Sequence, residues 1–456
     1  MLIKNLFKSK NSKLLQVTFR FYSKGTVSKH YDVVIAGGGM VGTSLACTLG
    51  KNTKLREKRV LLLEACPNKA WGNPEKYSNR VVSINPSSQK LFSDLGAWKF
   101  IEKHRFAPVK QLQVWDALSD ASVTFGNAES QEIVSYIVEN DLLLAALTEE
   151  VKNCDNVNVL YNAKVTKYGL PDYEGNIVNI TLDNGDEYTC DLLLGCDGVN
   201  SSVRKSMQAD YVSWSYNQMG VVATLKLKEC MKNEIAWQRF LPNGPVALLP
   251  LTDELSSLVW STSPEEARRL LSVTEEEFVE ALNKAIWSKY SSSIIVQQAT
   301  SIFDTFLRVL NCSKSEKNNV PPTVKSIEPN SRAAFPLGFG HSSQYIGKGV
   351  ALVGDAAHRV HPLAGQGVNL GFGDVACLSN TLGEAVYDGS TINDLSYLRN
   401  YEKDRQRHNI VTMAGIEGLH RLYNTDLTPI VLLRSLGLQA TQALEPLKRA
   451  IVSQAS

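Results

Sequence analysis

No Cys-x-x-Cys pair occurs in this chain; its eight cysteines, at 47, 66, 154, 190, 196, 230, 312 and 377, are scattered singly. Their spacing indicates neither a disulfide framework nor a thiolate zinc site, and it suits a reducing compartment. There is no Gly-x-x-x-x-Gly-Lys-Ser/Thr loop and no Gly-x-Ser-x-Gly elbow. Nucleotide hydrolases of the first kind and serine hydrolases of the second are therefore set aside. No apolar run approaches the roughly 18 residues of a membrane-spanning helix. Charge of one sign is also scarce: 48 basic and 46 acidic residues leave a net +2, which gives no argument for nucleic acid as a partner. His358 and His361 lie three apart in a glycine–proline loop with no third ligand in view. No metal is assigned to them, and loop hydrogen bonding or a place near a cofactor is their expected role.

Acidic side chains are missing from the first thirty residues, where Lys4, Lys8, Lys10, Lys13, Arg20, Lys24 and Lys29 precede the first carboxylate, Asp32. A basic, serine-containing, acid-free segment is the composition of a mitochondrial transit peptide, drawn inward by the membrane potential. Arg20-Phe21-Tyr22-Ser23 resembles a matrix-processing site, so residues 1–22 are assigned to the transit peptide. Lys4, Lys8 and Lys10 interrupt the apolar residues and leave no secretory core.

What is present is a chain of 456 residues with ordinary globular composition, 43% hydrophobic and 21% charged. That length exceeds what one core supports and implies two substructures. The first opens at Tyr31–Ala36, a β-branched run that leads into Gly37-Gly38-Gly39-Met40-Val41-Gly42 and a helix of small residues. Gly37 suits the tight turn, Gly39 a pyrophosphate close to the backbone, and Gly42 close packing of helix on strand. A second strand over 59–63 ends at Glu64, placed to accept hydrogen bonds from an adenosine ribose. Strand, glycine turn, helix, strand and acid together point to a dinucleotide. An acid here argues against a 2′-phosphate, and this unit by itself does not separate NAD from FAD.

Two further strands end in the same way. Leu192–Gly195 runs into Asp197-Gly198, and Val350–Val353 into Gly354-Asp355. Ligands of open α/β sheets bind at the carboxyl ends of strands. Asp197 therefore points to the rim of Glu64 and Asp355, and Asp355 would hold ribityl or ribose hydroxyls. Pro362 and a run of glycines then lead into a helix. The amides of Gly365, Gln366, Gly367, Val368 and Asn369 would face the pyrimidine edge of a flavin with the positive end of that helix. Arg80 is expected over cofactor or substrate, or else as a solvated cap.

Between these segments, 112–115, 123–125 and 133–138 read as short strands, 140–151 as a helix and 157–160 as a strand, and Asn184-Gly185 marks a hairpin. Residues 210–262 alternate apolar and polar around Trp237, Phe240 and Trp260, an antiparallel sheet flooring an apolar pocket. Helices are expected over 264–288, 296–310, 374–386 and 395–413, and a polar loop over 311–330. Thr428-Pro429 opens a tail helix carrying Leu432, Leu436, Ala440 and Ala443 on one face, widened by Leu433 and Leu444. It either docks on the body or lies in a lipid monolayer.

The Gly37–Gly42 unit, the Asp197-Gly198 element and the Gly354-Asp355 element together resemble the flavin-dependent aromatic hydroxylases of the para-hydroxybenzoate hydroxylase fold. Within them, His361 to Asp374, Tyr77–Ile84, Ala236–Leu251 and Tyr401–Asn409 are similar to the ubiquinone-biosynthesis hydroxylases, over about 31–450. The resemblance implies an α/β fold: a Rossmann-like FAD-binding domain (31–105, 140–205 and 340–390), an interleaved, mostly antiparallel β-sheet substrate domain (106–139 and 206–339) and C-terminal helices (391–456). It implies FAD, O2 and a polyprenylated 4-hydroxybenzoate-type phenol, hydroxylated at C5 or another position such as C1 through a flavin C4a-hydroperoxide. It also implies electrons from a ferredoxin and its reductase, a coenzyme Q biosynthetic complex, and a peripheral place on the matrix face of the inner membrane. No acid–base residue is nominated. The alternatives are a flavin hydroxylase or epoxidase for a different lipid or aromatic acid, and a flavin-stabilised scaffold of a biosynthetic complex.

Overall fold

The computed structural model describes residues 29–455, apart from 120, 128–131, 172–176, 231, 289, 291–293 and 310–319. The expected transit peptide and the first part of the expected polar loop lie outside the described residues.

The first sheet is built on β1 (Lys29–Ala36), whose Val33, Val34 and Ile35 are fully buried. A strand this apolar must be covered on both faces, and parallel sheets are covered so by their crossover helices. The helix after it, α1 (Met40–Lys51), carries small side chains, and Gly42, Ser44, Ala46 and Cys47 are buried. β1 pairs in parallel with β2 (Val60–Leu63) on one side and Glu187–Gly195 on the other; Val157–Leu160 and Val350–Leu352 extend the parallel set. A hairpin strand, Val178–Leu182, joins antiparallel through the expected Asn184-Gly185 turn, where Gly185 has φ +87°. α1 covers β1 and β2, and two further helices pack against α1: Asn140–Val151 and Gly367–Tyr387, hereafter the central helix.

A second sheet forms the other layer. It orders the strands His358–Arg359, Ala333–Ser342, Tyr211–Leu227, Leu255–Thr262, Gly244–Pro250, Ile235–Leu241, Gln111–Asp116 and Ser122–Gly126. Its pairings are antiparallel except that of Ile235–Leu241 with Gln111–Asp116. Trp237, Leu248, Leu258 and Trp260 bury one face against the helices Pro264–Ser272 and Glu275–Trp287. The mixed α/β class with a mostly antiparallel second sheet is as expected.

Four local expectations change. The helix over 264–288 is two helices, because Thr274 and Glu277 close a reciprocal capping box that starts a new one. Val324–Ile327, inside the expected loop, is a strand paired with Tyr211–Leu227. The tail is two helices, Thr428–Ala443 and Glu445–Ala455, and Thr428 makes no side-chain cap. The tail's buried face holds Val431, Arg434, Ser435 and Leu438 rather than the leucine face drawn from the sequence, and Leu433 is 65% exposed. The physical reason is a buried ion pair, Arg434 Nε to Asp116 Oδ2 at 2.8 Å, which turns the polar residue inward.

Candidate active site

Strand register gathers the site. Ala36 lies opposite both Leu63 and Gly195, and Gly195 lies opposite Leu352. The chains therefore leave the sheet at one edge, and Gly37, Glu64, Asp197 and Gly354-Asp355 meet there. The three fingerprint glycines are needed for different reasons. A Cβ on Gly37 (φ +103°) would stand 2.5 Å from Cys196 O, and one on Gly42 would stand 1.9 Å from Gly37 O. A Cβ on Gly39 would meet nothing within 4 Å. Two glycines are thus fixed by packing, and the third faces open space at the N-terminus of α1. Glu64 arches over the loop, accepting from Gly38 N at 2.6 Å and from Cys66 N at 2.8 Å.

Asp197 has a divided role. Its Oδ2 accepts from Ser202 N (2.6 Å) and Val203 N (3.1 Å), capping the next helix, while its Oδ1 is buried without a hydrogen-bond partner. Gly198 follows in the left-handed region, φ +77°. Arg204 ties this turn to the next: it is buried over the Tyr211 ring and donates to Val199 O (2.8 Å) and Ala356 O (2.6 Å). Asp355 is exposed on the floor of a crowded cleft, and no described donor reaches its carboxylate. Burial among the surrounding protein atoms pushes its pKa above the usual carboxylate value, against the pull of His358 and Arg359.

The central helix starts beyond Pro362 and Gly365 (φ +61°), with no capping side chain and no acid in its first turn. Its amides at Gln366–Asn369 and its positive end are thus left to a ligand. Asn369 fixes the approach, donating to Ser83 O (2.8 Å) and Gly365 O (3.1 Å) and accepting from Asn85 N (3.2 Å). Arg80 heads the strand Val81–Ile84 that runs past this loop; its side chain is exposed and makes no described contact.

Sequence reasoning missed the hub beneath these turns. Asp374, fully buried in the central helix, accepts from Gly354 N (3.0 Å), His358 Nε2 (2.6 Å), Arg405 Nε (2.7 Å) and Asn409 Nδ2 (3.2 Å). Burial raises its pKa, but His358 and Arg405 outweigh it and hold the carboxyl below the usual range. Tyr401, from the same long helix (Leu395–Tyr423), donates to Leu352 O at 2.8 Å. Tyr401, Arg405 and Asn409 recur every four residues, and that spacing was the available signal for a single inward face.

On the second sheet's side, a bulge in Tyr211–Leu227 leaves Tyr216, Asn217 and Gln218 between the pairs Ser215–Gly338 and Met219–Pro336, with Asn217 at φ +53°. Gln218 meets His361 and His420, and Tyr216 donates to Glu417 Oε2 at 2.8 Å. Phe240 and Tyr423 stack at 3.7 Å beside them, in an apolar cluster shared with Leu363 and Leu438.

An open glycine amide at a helix start, an orphaned Asp197 oxygen, an unpartnered Asp355 and an uncapped helix terminus fit a long anionic dinucleotide along one cleft. The FAD binding domain family matches residues 30–304 and 318–413. The cofactor is FAD, and the protein is a flavin-dependent aromatic monooxygenase. Solved structures share the fold. A Pseudomonas aeruginosa PqsL covers 91% of this chain and 100% of its own at TM-score 0.68 and 20% identity. A Klebsiella pneumoniae HpxO solved with FAD covers 93% and 98% at TM-score 0.66 and 15% identity. Among relatives, the protein named mitochondrial ubiquinone biosynthesis monooxygenase COQ6 of Xenopus tropicalis is 50% identical over 433 residues, 93% of each chain. The human protein of that name is 46% identical over 447 residues, 96% of this chain and 95% of its own. The chain belongs to this family of mitochondrial ubiquinone biosynthesis monooxygenases.

Proposed function

We propose that the protein hydroxylates the ring of a polyprenylated 4-hydroxybenzoate-type precursor of ubiquinone, at C5, on the matrix face of the mitochondrial inner membrane. The observation that carries this reading is the convergence of Gly37, Glu64, Asp197 and Asp355 on one cleft that ends at an uncapped helix beside an apolar sheet. Gly37, Gly39 and Gly42 with the start of α1 would hold the pyrophosphate, and Glu64 the adenosine ribose. Asp197-Gly198 and Gly354-Asp355 would flank the ribityl chain, and Pro362 with Gly365–Asn369 would receive the ring, with Arg80 at its edge. Bound FAD supplies electron transfer and the activation of O2. The chain's contribution is to orient that ring, to offset negative charge with the central helix's amides, and to keep water from the phenol with Leu363, Phe240 and Tyr423.

Electrons would come from a ferredoxin and its reductase, and the protein would work within a coenzyme Q biosynthetic complex. The membrane would meet the tail. Leu427, Leu433, Leu444, Leu447 and Ile451 are exposed there, next to Ile294, Ile295, Ile302 and Phe306 of the neighbouring helix Ile294–Val309. No helix among the described residues is long and apolar enough to cross a membrane. The test is purification of the chain without residues 1–28, its visible spectrum, and quinone-precursor analysis in a strain lacking the gene. A yellow protein and accumulation of the precursor lacking the ring oxygen are expected. A colourless protein that refuses FAD, or a strain whose hydroxylated precursor persists, sinks the assignment.

A further inference from the structure

We infer that His420 is the base that takes the proton from the substrate's phenolic hydroxyl, held ready by a hydrogen-bond chain through Gln218 to His361. The inference rests on the reading of the substrate as a phenol. It is carried by the placement of protons, which four contacts fix. Leu363 N donates to His361 Nδ1 at 3.2 Å, so that nitrogen bears a lone pair and the ring proton is on Nε2. His361 Nε2 lies 3.2 Å from Gln218 Oε1. The orientation of the amide is set independently, because Gln218 Nε2 donates to Asn243 O at 3.1 Å. The same Oε1 faces His420 Nε2 at 3.1 Å. An amide oxygen only accepts, and it has two lone pairs, so both imidazoles must present Nε2–H. His420 Nδ1 is therefore bare in the neutral ring, and no described group donates to it.

The two rings are not equivalent. A proton on His361 Nδ1 would oppose the N–H of Leu363 and break the chain; a proton on His420 Nδ1 disturbs nothing in it. His420 also lines, with Gln218, Leu363, Phe240 and Tyr423, a small cavity of about 10 Å³, room for about one water. Leu363 belongs to the loop that runs into the central helix, so the cavity lies between that loop and the aromatic floor. Building this corner requires the bulge at Tyr216–Gln218 and the left-handed Asn217, the kind of local cost that re-aims side chains at sites.

Ionisable groups face His420 from three elements: Tyr216 from the bulged strand, His361 from the loop, and Glu417 and Arg421 from its own helix. Burial pulls its pKa below the ordinary histidine value, Glu417 raises it and Arg421 lowers it, so the ring is neutral near neutral pH. His361 is pulled further, to about 3, by burial and then by His420. In the step itself the phenolic O–H bond breaks, the proton goes to His420 Nδ1, and the electron pair stays on the oxygen. The resulting phenolate is a stronger nucleophile at its ring carbons, and the new imidazolium is balanced by the nearby Glu417 carboxylate.

The probe is 4-hydroxybenzoate bearing one 3-prenyl group, bound to the oxidised, FAD-loaded enzyme, with phenolate absorbance followed against pH. His420→Gln keeps a donor toward Gln218 and removes the base. The bound phenol should then ionise at a pH at least one unit higher than in wild type, and kcat should fall on the order of 100-fold with KM little changed. An unmoved ionisation midpoint overturns the inference and leaves the flavin assignment standing, whereas a probe that does not bind the yellow enzyme overturns both. Should His420→Gln not fold, wild-type enzyme labelled with 15N-histidine decides. One imidazole must become imidazolium when the phenol binds and not when its 4-methoxy analogue binds; seven unchanged histidines refute the role.

Discussion

Replacing Asp374 with asparagine tests the hub on which the cofactor turns rest. Four donors converge on its two oxygens: Gly354 N and His358 Nε2 on Oδ2, Arg405 Nε and Asn409 Nδ2 on Oδ1. An asparagine accepts on one side only, so its NH2 must face two donors whichever way the amide turns. Its neutrality also leaves the Arg405 guanidinium, 11% exposed, without a counter-charge. Breaking a buried ion pair by removing one partner costs about 3–5 kcal/mol, several times an exposed pair. Because Gly354 N is one of the four donors, the Gly354-Asp355 turn should loosen and FAD affinity should fall as well. Equilibrium urea unfolding of wild type and Asp374→Asn, with flavin fluorescence as a second probe, measures both effects. The pH dependence adds a sign. The folded carboxyl lies below its ordinary value, so its contribution is whole above the unfolded pKa of about 4 and drains away as pH falls further. The gap between the two proteins should therefore narrow below about pH 4. A variant within about 1 kcal/mol of wild type at pH 7, with unchanged FAD affinity, refutes the argument.

The glycines separate binding from folding. Gly39→Ala, at φ −70° with open space around its Cβ, should leave unfolding unchanged and weaken FAD about tenfold or more, read by flavin titration. Gly42→Ala, whose Cβ would stand 1.9 Å from Gly37 O, should destabilise the fold itself by more than about 1 kcal/mol. Equal unfolding curves for the two variants would contradict this division. At the proposed membrane face, Ile302→Glu with Leu433→Glu should reduce co-flotation with anionic vesicles several-fold while the flavin spectrum is retained, because both side chains are largely exposed. Undiminished flotation would move the lipid contact elsewhere.

The meeting of the strand ends at one edge was legible before any coordinates. A strand-to-helix glycine turn and an acid at a strand end are local patterns, and the register of β1 with its neighbours brought Glu64, Asp197 and Asp355 to one edge as their positions implied. The helix Asn140–Val151 and the strand Val157–Leu160 matched to the residue for the same reason: their periodicity is contained within them. The tail's docked face was not legible, because Arg434 has a buried partner, Asp116, that no helical wheel contains.

The sequence by itself determined the class of protein, because its strand-end and glycine signals act over a few residues and its longer motifs match one family. Only the tertiary structure decided who pairs with whom. Arg405 reaches Asp374 across 31 residues, His361 reaches Gln218 across 143, His420 reaches Gln218 across 202, and Arg434 reaches Asp116 across 318. Buried polar groups must be satisfied, yet the chain's local grammar does not say by which partner; that choice belongs to the packing of sheets and helices around them.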